Sequence, residues 1–376
     1  WSQPSLNRIY RPIHPNAAAK RKTAANCGRF LFCNSVSGVR LAREVPTLDP
    51  SAYNSTVTQM SQIYPSDLID ALSQSRLRSY RNFFGTHTDS EALGLYFWNE
   101  DLADVFFRTI SLIEIVLRNQ FHRQLSGRYG THGATGAKDW YKHLAFNKES
   151  NDNLQKILNK KSRKNGHPGI RQLTPDDVVS KLPFGFWSHL LDVKHDLANN
   201  PVPWGQILME MLPGHRQKNA RYWSKQSRQD QLFARIDLCN GLRNRIAHHE
   251  PIWKLGPLMQ EARPRPGKQI SVLANAPSNP EEALNRLRIL QEKMVELMGW
   301  IAPRMQQAYS VSETAFRTTS LINERTLLHY KARRTLAQID ISGLKGVRAF
   351  RKIVRRASRQ RQPLHLKDGV ASLGHL

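Results

Sequence analysis

Leu102, Phe106, Ile110, Ile113, Leu117 and Phe121 follow one another at steps of four, four, three, four and four. Only a helix brings such positions onto one face, because a strand would need alternation at every second residue. A helix with one continuous apolar stripe must bury it against other helices or a sheet. Two further stretches have the same period. One runs from about Gln229 to Ala247 with Leu232, Cys239, Leu242 and Ile246 on one face, and Pro251 stops it. The other follows Asn279-Pro280, a cap with proline at the first helical position, and carries Leu284, Leu287, Leu290, Met294, Leu297 and Ile301. Asn99 is the expected cap of the first helix, starting near Glu100, and shorter helices are expected over 66–81 and 151–164. Strand signals are few and no repeat of 20–50 residues is evident. The expected fold is an all-α bundle with short or no strands.

The charge is uneven. Lys and Arg number 56 against 30 Asp and Glu, a net +26, which draws polyanions and nucleic acid first. Residues 1–50 hold 8 basic and 2 acidic residues, and residues 301–376 hold 15 and 4. The first segment reads as an organellar transit peptide or, the preferred reading, a flexible or unnatural basic arm. Lys345 to Arg361 reads as a basic amphipathic helix, suited to nucleic acid (RNA through Lys345, Arg348, Arg351, Lys352, Arg355 and Arg356) or to a membrane surface, or else as a solvated tail. The domain expectation is therefore a basic extension over 1–58, a helical domain over 59–305 and a basic, partly helical extension over 306–376. No apolar run is long enough to cross a membrane. Three cysteines without a CxxC pair fit a reducing, cytoplasmic setting.

Several chemistries are excluded by motif. Gly130 to Lys138 lacks the Gly-Lys-Ser/Thr of a phosphate loop, and HExxH, GxSxG and zinc-spaced cysteines are missing. Adjacent His248 and His249 diverge on a helix and make a poor metal pair, so no metal and no cofactor is expected. The informative segment is Cys239 to Trp253. Arg243 lies seven residues after Ile236, at the edge of the apolar stripe, where a guanidinium needs a carboxylate or a phosphate. Asn244 and His248 are four apart, and Asp237 falls near them. Such a group at a helix end can bind a phosphodiester, and histidine exchanges protons near neutral pH. The bland alternative is a histidine capping the last carbonyls. Glu114, Arg118 and His122, with Asn119 beside them, form a second polar stripe, read either as a solvated face or as an inward-facing site.

Arg243-Asn244-Arg245-Ile246-Ala247-His248 resembles the R-x4-H signature of HEPN-domain ribonucleases. His249 and Pro251-Ile252-Trp253 resemble their Abi-like (abortive infection) branch. So do Leu72 to Tyr80 with Ala92 to Asn99, Leu112 to Asn119, and Leu182-Pro-Phe-Gly-Phe-Trp-Ser188, in the family's order over roughly 60–305. The resemblance implies a HEPN-like bundle, phage defence and metal-independent RNA cleavage by the ribose 2′-hydroxyl. It implies that His248 shuttles the proton, with His249 as rival, that Arg243 neutralises phosphate charge, and that Asn244 orients. Glu114, Arg118, Asn119 and His122 would support the pocket. It further implies a homodimer facing two motifs across a two-fold axis, the alternative being a monomer using His122 as its second group. An antitoxin or a phage-trigger protein is a candidate partner. The other function class is a non-catalytic module that binds RNA or a partner through the same residues.

Overall fold

A computed structural model describes residues 65–332, apart from 160–162, 165–166, 169–172, 266 and 268, with scattered positions between 348 and 371. All of these belong to the unit Gln62–Leu376. Among the described residues there are thirteen α-helices between 65 and 332, further helical residues between 348 and 355, and four antiparallel two-stranded ribbons of two or three residues per strand. The fold is mainly α, as the periodicity predicts.

Helices α1 (Pro65–Leu72) and α2 (Gln74–Phe84) replace the single helix expected over 66–81. They part at Ser73, whose φ of 74° breaks the helix while its side chain caps the next one. The spine is α3 (Asp89–Ser126), 38 residues or about 57 Å long. Thr88 caps it by accepting the Glu91 N–H, and Asp89 and Glu91 complement the positive helix start. It therefore begins eleven residues before the expected start. Asn99 lies inside it, buried, and is not a cap.

The stripe from Leu102 to Phe121 is fully buried in one core cluster that takes in the remaining helices. Around it stand α4 (Lys148–Leu158), α5 (Pro175–Lys181) and α6 (Phe184–His189). In α6 the Phe184-Gly-Phe-Trp187 run buries all three aromatics, with Trp187 stacked 6.0 Å from Phe121. Next come α7 (Trp204–Met211), α8 (Ala220–Trp223) and α9 (Gln226–Ala247). Helix α10 (Pro280–Ile301) starts at the expected Asn279 cap.

The bundle continues past residue 305 through α11 (Pro303–Ser310), α12 (Glu313–Leu321) and α13 (Glu324–Lys331). Trp98 Nε1 donates to Leu321 O at 2.9 Å, the Tyr309 and Thr109 hydroxyls meet at 3.0 Å, and the Tyr330 hydroxyl donates to Asp101. The boundary expected near 305 thus falls within packed structure. Each of these helices is only eight or nine residues long, too short to display a stripe.

Candidate functional site

The end of α9 is set by backbone geometry. The N–H of Glu250 donates to Arg245 O at 2.9 Å and that of His249 to Ile246 O at 3.0 Å, which closes a Schellman motif. The motif requires a left-handed residue, and His249 supplies it at φ 54°. That position usually holds glycine, since a side chain there costs about 1–2 kcal/mol. Strain of this kind at an exposed polar segment is a pointer to function.

Three contacts hold the strained turn, two of them from other helices. Arg76 Nη1 donates to His249 O at 2.8 Å, Asn99 Oδ1 accepts the Ile252 N–H at 2.9 Å, and Arg245 Nη2 donates to Pro251 O at 2.9 Å. Trp253 then packs against α2, with ring centroids 5.4, 4.5 and 4.9 Å from Tyr80, Phe83 and Phe84. Leu242 is the last fully buried residue of α9. Beyond it Arg243, Asn244, His248 and His249 are all exposed.

Arg243 is therefore not the half-buried guanidinium expected at the stripe's edge. A heptad falls about 20° short of two helical turns, and past Leu242 only the half-buried Ile246 still packs against the core. Its one hydrogen bond among the described residues goes to Asn244 Oδ1, at 3.3 Å. The buried, carboxylate-paired arginine of α9 is Arg235, which meets Glu261 in a fork at 2.7 and 2.9 Å and Glu296 at 2.7 Å. Neither His248 nor His249 makes a side-chain hydrogen bond among the described residues. Backbone N–H groups do the capping that the bland reading assigns to histidine.

A pocket of about 230 Å³ lies between α3 and this turn, lined by Asn99, Glu100, Asp104, Phe107, His249 and Glu250 among others. Its acidic rim repels a phosphate, so the anion-attracting part of the turn is its Arg243–Asn244 side. The arrangement offers a cation, an amide and two free imidazoles on a fixed frame.

His249→Gly is expected to stabilise the fold by about 1 kcal/mol, because glycine relieves the left-handed strain. Urea unfolding reads this directly, and a loss of stability would show that the imidazole has a packing role.

The second constellation lies elsewhere. Glu114 and Arg118 form an i,i+4 ion pair at 2.6 Å, and Asn119 is exposed. No hydrogen bond or ion pair joins them to residues 243–250 among the described residues. His122 is buried fifteen residues beyond Phe107, about 22 Å further along the helix axis. Trp140 Nε1 donates to its Nδ1 at 2.8 Å, and Nε2 faces Asp176 Oδ1 at 3.3 Å. This is a core histidine, hydrogen-bonded at Nδ1 and set beside a carboxylate at Nε2, and it cannot complete the α9 site within one chain.

Burial holds His122 below the ordinary 6.5, with Asp176 pulling the other way, and burial lowers His215 as well. Groups depressed in the folded state take up protons more readily once unfolded. Stability is then full above about pH 6.5 and is lost as pH falls through the folded pKa values. The urea midpoint should drop between about pH 7 and about pH 5, and His122→Gln should flatten that drop. An unchanged slope in the variant would contradict the assignment.

Of the basic run, Arg348, Arg351, Lys352 and Arg355 are helical and exposed, while Lys345 and Arg356 lie outside the described residues. So do residues 1–58. Among the described residues no helix is long and apolar enough to cross a membrane. Sequence reasoning missed Arg76, which α2 turns towards His249. It also missed the acceptor role of Asn99, whose signal was an asparagine set within the apolar run Leu95, Trp98, Leu102.

A family model described as Abi-like protein matches residues 66–254, half of the chain, from α1 to the residue after Trp253. No curated protein and no solved structure matches the chain.

Proposed function

Because the chain belongs to the Abi-like protein family, we propose that it acts in abortive infection, a defence against phage, as a metal-independent endoribonuclease of the HEPN type. The observation that carries this reading is the exposed set Arg243, Asn244 and His248 on a turn clamped by Arg76, Asn99 and Trp253. Preorganised groups that need no rearrangement are what electrostatic catalysis requires.

In the proposed step the ribose 2′-oxygen bonds to the adjacent phosphorus and the bond to the 5′-oxygen breaks. A 2′,3′-cyclic phosphate and a 5′-hydroxyl result. His248 takes the 2′-hydroxyl proton or returns one to the leaving oxygen, and His249 is the rival for that task. Arg243 neutralises the charge that builds on the phosphate, and Asn244 orients it. The exposed basic residues Arg348, Arg351, Lys352 and Arg355 would add RNA affinity through counterion release.

Phosphoryl transfer needs both a base and an acid, and His122 is not there to be the second group. A homodimer that faces two turns across a two-fold axis supplies it. The exposed Phe107 ring beside the His249 pocket supports such a contact. Specific activity should then fall on dilution, and a constant value down to a monomer seen by sedimentation would exclude the dimer. An antitoxin or phage-trigger protein is the further partner proposed.

The direct test is purified protein on single-stranded RNA in EDTA, beside the same RNA with one 2′-deoxy substitution at the cut. Cleavage of the first alone, leaving a cyclic phosphate end, is expected. No cleavage of any RNA, or cleavage of the 2′-deoxy strand, would overturn the reading in favour of a binding module or another chemistry.

A further inference from the structure

A second concavity, about 470 Å³, opens between residues 214–216, α8, the start of α9 and the end of α10. Its volume lies in the range of small-ligand sites. Part of its wall, Glu261, Glu296 and Trp300, comes from beyond the family match. Nothing in the proposed cleavage step uses it.

The walls are preformed. His215 is buried, with Trp223 and Trp300 edge-on to it at 4.8 Å each. Its Nδ1 accepts the Gln217 N–H at 3.1 Å, which leaves the proton of the neutral ring on Nε2. The Gly214 N–H donates to Trp300 O at 2.9 Å, and a Cβ on Gly214 would fall on Gly299 O, so only glycine permits this approach. The loop is thus fastened to α10 before any ligand arrives, which lowers the ordering cost of binding.

The lining combines rings with surplus positive charge. Glu261 and Glu296 are both engaged by Arg235, and Glu261 by Lys293 as well. Arg216 is exposed and makes no hydrogen bond or ion pair among the described residues. Arg228 lies 4.9 Å over the Tyr222 ring and donates Nη1 to Gln231, yet its Nε is buried with no hydrogen-bond partner. A buried donor left unmatched invites an acceptor. Aromatic faces beside arginines are the means by which proteins hold an unstacked base and its phosphate.

We propose that this concavity binds one nucleotide unit, its base on the aromatic wall and its phosphate on Arg216 and Arg228, as a free mononucleotide or within single-stranded RNA. The half-exposed Glu296 carboxylate is placed to accept from an exocyclic amino group of the base.

The test reads binding and not cleavage, so it stands apart from the ribonuclease reading. The full chain is titrated with AMP, adenosine, inorganic phosphate and a 2′-O-methyl tetranucleotide, with quenching of tryptophan fluorescence as the signal. Saturable binding of AMP or the tetranucleotide is expected, weakened at least about tenfold in both Arg216→Ala and Arg228→Met. Tighter binding of the tetranucleotide identifies an RNA strand as the source, and tighter binding of AMP a free nucleotide. Arg216 is exposed, so its variant keeps the fold even if Arg228→Met does not. No saturable binding of either at millimolar concentration would overturn the proposal. Equal affinity in wild type and Arg216→Ala, or phosphate or adenosine binding as well as AMP, would do the same.

Discussion

His248→Ala is expected to slow RNA cleavage by roughly 10²–10⁴-fold, the usual contribution of a positioned general acid or base. Arg243→Ala is expected to slow it by roughly 10²–10³-fold, since a cation is lost where phosphate charge develops. Both side chains are exposed, and neither packs into the core. Melting should therefore move little in either variant, as surface changes are usually worth less than about 0.5 kcal/mol. Arg243→Lys should recover only part of the rate, because an ammonium keeps the charge but loses the planar fork. Should His248→Ala keep full activity while His249→Ala loses it, the proton carrier is the left-handed residue. Full activity in all of these variants would remove the turn from the chemistry.

Trp253→Ala carries the largest expected stability loss, about 3–5 kcal/mol for deleting a fully buried indole. Trp253 is 1% exposed and packs against Tyr80, Phe83 and Phe84, so little can collapse into the space. The loss should appear in urea unfolding together with impaired cleavage, because the same residue seats the turn that presents His248 and His249. Asn99→Ala should separate the two effects. It strands the buried Ile252 N–H at about 1–3 kcal/mol while leaving the aromatic nest intact. A Trp253→Ala protein as stable as wild type would show that the nest is not what anchors the segment.

The three long helices were legible because each carries a stripe spanning several turns, which outweighs local ambiguity. Asn99 shows where such reading stops. Asparagine is both a common cap and a buried acceptor, and the choice is made by an N–H 153 residues away in sequence. Helices α11–α13 escaped for another reason: each buries only a few side chains, and the burial depends on meeting Trp98, Asp101 and Thr109 of the spine. The candidate site was legible in composition and position, since Pro251 halts α9 just past Arg243 to His248. Its geometry was not. The left-handed histidine depends on Arg76 and Asn99, and the distance of His122 from the turn depends on an unbroken α3. The pocket at His215 had no linear signal, because its walls come from segments some eighty residues apart.

The bond from Trp98 to Leu321 spans 223 residues. At a synthesis rate of about 5–20 residues per second, roughly 10–45 s separate the ribosome's making of these two partners. Throughout that interval the spine's apolar face lacks its last three covering helices. The 243–253 turn, for its part, cannot be fastened to Asn99 until Ile252 has left the exit tunnel. A nascent chain therefore holds no assembled site until Ile252 and Trp253 are free to dock, and until Leu321 follows, it exposes a sticky helix that a translation-coupled chaperone would be expected to occupy. Whatever the turn does, it is withheld until that part of the chain has been made.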